Sequence, residues 1–125
     1  MKTAINDQGV PTPMTMFSGA ERVLAIDGLA LGEFDPSADG FYRNVQTFAF
    51  KVKRRRSVRV DIKADSPVDV AVADHGGSSV GHRQAVREGS VGPFPTGDNR
   101  EMGVILGVHP GDRATVNMEV WMVRP

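Results

Sequence analysis

The chain has 125 residues, 15 basic and 15 acidic side chains, and no cysteine. Such a length fits one domain and can bury about two-thirds of the surface its unfolded form exposes, so no disulfide or metal staple is required. The missing thiols exclude a disulfide scaffold, a thiolate zinc centre and a cysteine nucleophile, while zero net charge removes a global field for nucleic acid or membrane.

From the start of the chain to about residue 20 no hydrophobic period exists. Asn6, Asp7, Gln8, Gly9, Pro11, Thr12, Pro13 and Thr15 break every pattern, and the two prolines remove backbone donors. The reading is an extended N-terminal arm over 1–20, followed by one β-sandwich domain over 21–125. Pro11 and Pro13 are candidate contacts of that arm with a partner. A single early lysine followed by polar residues stands where a signal peptide carries its apolar core, so the expected location is the cytoplasm or a packaged particle such as a virion. The apolar runs, such as Val104-Ile105-Leu106, are far shorter than the ~20 residues of a membrane-spanning helix.

Ser18-Gly19-Ala20-Glu21 has the spacing of a helix capping box. The apolar residues after it run straight into Gly28, so Arg22–Asp27 reads as a first strand, with a short helix as the alternative. Phe34 to Gly40 is dense in turn formers. Beyond Asn44, period two takes over. Phe48, Phe50 and Val52 share one face, opposite Thr47, Lys51 and Lys53. Val58, Val60 and Ile62 then alternate with Arg59, Asp61 and Lys63. Asp65-Ser66-Pro67 reads as a turn, after which Val68, Val70 and Val72 resume the alternation. Branched residues in this order predict antiparallel strands with one wet face.

Residues 75–100, rich in glycine and interrupted by Pro93 and Pro95, read as a long connection with at most a short strand or turn near 82–86. Met102, Val104, Leu106 and Val108 give the next strand, and His109-Pro110-Gly111-Asp112-Arg113 the next turn. Ala114, Val116, Met118, Val120 and Met122 give the last strand. Trp121 and Val123 lie on its other face, which predicts a strand covered on both sides or set against a partner.

Taken together, Phe48-x-Phe50-x-Val52, Val58 to Asp74, the long 75–100 stretch, Val104-x-Leu106, Pro110-Gly111 and Ala114 to Val120 resemble the jelly-roll sandwiches of the GOLD and bacterial pre-peptidase C-terminal type. The likeness spans about residues 44–123 and lies in the strand pattern. It implies an antiparallel jelly-roll-like β-sandwich and a non-catalytic module for protein or carbohydrate contact.

Several groups of residues invite a chemical reading. Lys53, Arg54, Arg55 and Arg56, with Arg59 close behind, form a basic run expected at a hairpin tip. Guanidinium forks suit phosphate or an acidic protein surface. No aromatic residues interleave the cations to stack bases, which disfavours nucleic acid. The alternative is a solvated tip whose charge blunts edge pairing. Gly77-Ser78-Ser79-Val80-Gly81 spells a nucleophile elbow, but the elbow needs a strand-to-helix turn and a later acid and histidine, so no catalytic residue is assigned. Asp61, Asp65, Asp69 and Asp74 are too spread for a calcium loop, and His75, His82 and His109 too scattered for zinc, so neither metal nor cofactor is assigned. Trp121 is read either as core or as an interface anchor.

The sequence therefore favours a non-catalytic structural or interaction protein, a small β-sandwich subunit that assembles with itself as a homo-oligomer or onto a larger complex such as a virion shell. An adaptor or ligand-binding module, for carbohydrate or protein and using the 75–100 segment, is the alternative.

Overall fold

Valine-rich stretches of period two fold as strands because branched side chains fit a pleated, half-buried surface. The computed structural model describes residues 19–32 and 44–124. In it these stretches give β1 (Glu21–Leu31), β2 (Val45–Lys51), β3 (Ser57–Ala73), β4 (Ser79–Pro95), β5 (Glu101–Gly107) and β6 (Ala114–Val123). Every pairing among them is antiparallel. The short helix weighed for 22–27 gives way to strand β1. Of the expected arm, residues 1–18 lie outside the described residues, and Pro11 and Pro13 with them.

β3 decides the architecture. Its 57–64 half pairs with β6 and its 69–73 half with β5, while β4 follows it along the opposite side. The β3–β4 hairpin is thus folded over near 64–68, and its two arms enter different sheets. One sheet runs β1, β6, first half of β3, second half of β4. The other runs β2, β5, second half of β3, first half of β4. Counted by arms, eight strands form two four-stranded sheets, the jelly-roll sandwich.

This architecture corrects two expectations. Asp65-Ser66-Pro67 does not end a strand. Lys63 faces Glu88 and Val68 faces Val86, so β3 advances five residues while β4 advances two, and the excess forms a bulge that bends the hairpin. The Asp65 carboxylate accepts the Thr115 N–H at 2.8 Å and that of Asp69 accepts the Ala85 N–H at 3.0 Å, which ties the bend to both neighbours. Residues 75–100 are likewise not a long connection. Most of them are β4, whose inward residues Val86, Val91 and Phe94 lose the period-two spacing at each bulge.

The inner faces of both sheets form one core. Val58, Val60, Ile62, Val116, Met118 and Val120 of the first sheet meet Phe50, Val70, Val72, Met102, Val104 and Leu106 of the second. These are the residues the alternation assigned inward, and burying each branched side chain contributes roughly 1.5–3 kcal/mol. On the β4 side, Phe94 lies over Gly81, where a Cβ would collide with its ring. Arg83 of one β4 arm donates to the Ser90 carbonyl of the other at 3.3 Å, closing the same side with its aliphatic stem and charged head.

The sandwich has two ends. At one lie the β3–β4 bend and the 108–113 link. At the other lie 52–56, 74–78 and 96–100, together with Gly19 before β1 and Arg124 after β6. Neither 52–56 nor 108–113 is a hairpin, because β2 does not pair with β3 nor β5 with β6. Both segments carry the chain from one sheet to the other.

Candidate functional site

Two surfaces gather the chemically active side chains, and they adjoin. The first is the outer face of the β1-β6-β3-β4 sheet. Because inward and outward residues alternate on β6, the buried Val120 and Met122 turn Trp121 outward. Trp121 is no part of the core cluster. It is half-buried on a central strand, in register with Arg22 of β1 and Arg59 of β3.

Neither guanidinium is committed to the indole. Arg22 donates to Glu119 Oε2 at 2.8 Å. Arg59 grips both oxygens of Asp61, at 2.9 and 3.1 Å, and Ser90 Oγ donates to the same carboxylate at 2.6 Å. One row further on, Asn117 Oδ1 accepts the Gly28 N–H at 2.7 Å where β1 bulges, leaving the Asn117 amide donors unspent among the described residues. Arg22, Asp27, Asp61, Glu88, Asn117 and Glu119 line a groove of about 620 Å³ across this face. It holds donors and acceptors of both signs, the Arg22–Glu119 pair among them, beside Trp121.

The second surface is the end of the sandwich that carries the basic run. Lys53, Arg54, Arg55 and Arg56 are exposed, as expected, but sit on a sheet-to-sheet crossover instead of a hairpin tip. A buried threonine holds the crossover rigid. Thr96, with no exposed surface, accepts the Arg56 N–H through Oγ1 at 2.9 Å and donates to the Lys53 carbonyl at 2.8 Å. Thr96 N–H donates to the Arg56 carbonyl at 2.8 Å, and the Arg55 N–H to the Gly97 carbonyl at 2.9 Å. Arg55 takes a left-handed conformation, φ 58°, to make this turn. Lys53 N–H also reaches Met122 Sδ at 3.2 Å.

A hollow lies on each side of this crossover. One, of about 980 Å³, is lined by Lys51, Lys53, Arg54, His75, Asp98 and Arg100 among others. The smaller, of about 370 Å³, is lined by Gly19, Ala20, Glu21, Lys53, Arg56, Met122 and Arg124. Sequence reasoning found the cations and Trp121 but missed Thr96, Asn117 and Arg124, which earn their places through partners distant in the chain.

The other candidates separate. Ser79 opens the edge strand β4 and its hydroxyl turns to the Gly81 carbonyl at 3.5 Å, so the Gly-x-Ser-x-Gly run is no strand-to-helix elbow. The aspartates that suggested calcium each hold local structure. Asp61 and the two bend residues are described above, and Asp74 Oδ1 accepts the Ser78 N–H at 2.9 Å. His75 stands at the basic end, His82 on β4 and His109 at the opposite end. Among the described residues, no three His, Asp or Glu side chains gather to hold a metal ion.

No family model matches the chain and no curated protein does. Among solved structures it is similar to a carbohydrate-binding module, CBM36 in complex with calcium and xylotriose. The identity is 15%, the coverage 80% of this chain and 96% of that one, and the TM-score 0.40. A likeness of that size decides neither the fold nor the ligand of this chain.

Proposed function

We propose that this chain is a non-catalytic recognition module whose outer β1-β6-β3-β4 face binds a saccharide. The observation that carries the reading is Trp121. It is turned to solvent on a central strand, between two arginines whose charges are already paired, beside a groove lined by charged and apolar side chains.

A hydrated sugar ring offers an apolar C–H face to an indole and hydroxyls that both donate and accept. Small-ligand sites are concave and fix orientation with a few placed polar groups. Protein interfaces, by contrast, are depleted of charge at their centres, and this face has Arg22, Arg59, Asp61 and Glu119 around Trp121. That contrast favours a sugar over a second protein, and over the self-assembly that the sequence suggested first.

The experiment titrates the chain with neutral oligosaccharides (cello-, xylo-, manno- and chitohexaose) while following the fluorescence of its single tryptophan. One or more should bind, and Trp121→Ala should weaken that binding at least about tenfold, the scale of one lost stacking contact. Binding that Trp121→Ala leaves intact would count against the face. So would a failure of every sugar to bind, coupled with a mass by light scattering that rises with concentration until Trp121→Ala abolishes the rise.

A further inference from the structure

The two surfaces meet along β6 and β3, and their charges are used differently. On the sheet face, Arg22 and Arg59 are neutralised by Glu119 and Asp61. At the end of the sandwich, Lys53, Arg56 and Arg124 converge on one hollow and form no ion pair with any described residue, with Glu21 the single acid among its lining residues. We propose that this hollow binds the anionic groups, sulfate or carboxylate, of an acidic glycan whose neighbouring sugar lies on Trp121. The proposal rests on the sheet-face reading and names the class of saccharide.

Arg124 lies three residues beyond Trp121, and Arg56 three residues before Arg59, about 10 Å of strand. Met122, which faces away from Trp121, lines the hollow, so a ligand touching both rounds the end of the sandwich and is at least a disaccharide. The backbone that carries two of the cations is fixed before any ligand arrives. Thr96 and Met122 fix the backbone of Lys53, Thr96 that of Arg56, and Arg124 lies across Gly19, where a Cβ would stand 2.5 Å from its Nε. Guanidinium forks match the paired oxygens of sulfate and carboxylate. A fixed backbone leaves only side-chain freedom to be lost on binding, which lowers the cost of association. Nucleic acid would need stacking side chains along its track, and none of the residues lining this hollow is aromatic.

The test compares four probes at 50 and 200 mM salt: a heparin-derived hexasaccharide, its desulfated and N-acetylated form, cellohexaose, and a twelve-nucleotide single-stranded DNA. Lys53→Gln/Arg56→Gln/Arg124→Gln is measured beside the parent chain. These side chains are outside the core, and urea unfolding checks that the variant retains its fold. An acidic probe should bind at least about tenfold more tightly than cellohexaose at low salt. The advantage should shrink roughly tenfold by 200 mM, as for a few charge contacts, and vanish in the triple variant while cellohexaose binding persists. Gly19→Ala, which displaces Arg124, should remove part of it. The two acidic probes distinguish sulfate from carboxylate recognition.

An acidic probe bound no better than cellohexaose, or one that the triple variant binds unchanged, overturns the anion site and leaves the sheet-face reading standing. DNA bound as tightly as the glycan, with the same salt dependence, also overturns it, because the end is then a general polyanion surface. Acidic-probe binding that needs the three cations but survives Trp121→Ala overturns the continuous ligand, while the sheet-face reading is decided separately by the neutral sugars.

Discussion

Thr96 is a single hydroxyl that joins two crossovers between sheets. Replacing it with valine preserves its shape and leaves the Arg56 N–H and the Lys53 carbonyl without their buried partner. The expected cost is about 1–3 kcal/mol, read as a lower urea midpoint at unchanged slope, whereas Thr96→Ser should recover most of it. The same change should weaken the acidic-glycan advantage, because it frees the backbone that presents Lys53 and Arg56. Nothing in Phe94-Pro95-Thr96-Gly97 announces this role, since the threonine's partners lie 40 and 43 residues earlier. The basic run and Trp121, in contrast, were visible as residue types. The roles of the four aspartates, too spread for a calcium loop, were hidden for a related reason. Asp61 answers a side-chain guanidinium and hydroxyl, and the other three answer backbone N–H groups. A hydrogen-bond partner in three dimensions leaves no periodic trace in sequence.

At the scale of the element, β3 and β4 show both the reach and the failure of periodicity. β3 was legible because Val58, Val60, Ile62, Val70 and Val72 are all buried, although the bulge at 64–68 made one strand look like two. β4 was hidden because it is the edge of both sheets and shifts register repeatedly, so its inward residues follow no fixed interval. Its glycines, which signalled a loop, serve close approach. Gly81 leaves room for the Phe94 ring across the sandwich. Gly81→Val should therefore destabilise the fold by about 1–3 kcal/mol, and a smaller residue at position 94 should relieve part of that loss in the double variant. A thermal or urea melt of the two singles and the double measures the coupling directly. The hairpin tip expected at the basic run failed for a topological reason. In a jelly roll the short links after β2 and β5 change sheets, and the local turn sequence of a crossover resembles that of a hairpin.

For the whole molecule, the shared β3–β4 hairpin makes the sheets inseparable, since neither keeps its four strands if the other dissolves. Unfolding should be a single transition, coincident by tryptophan fluorescence and far-ultraviolet dichroism. Amide exchange should be slowest in the central strands β3 and β6 and faster in the edges β1 and β2. The pairing of β1 with β6 also joins the two extremes of the described chain, which places folding in the millisecond-to-second range of non-local β topologies. That pairing governs the response to mechanical load as well. Gly19 and Arg124 leave the sandwich side by side at the basic end, one before β1 and the other after β6. Tension applied there pulls across the ladder and not along it, so its hydrogen bonds meet the force one row at a time, beginning with Glu21 and Met122. β1 should peel away at low force under an optical trap, while handles attached at the two ends of β3 would load the rows in shear and meet far greater resistance.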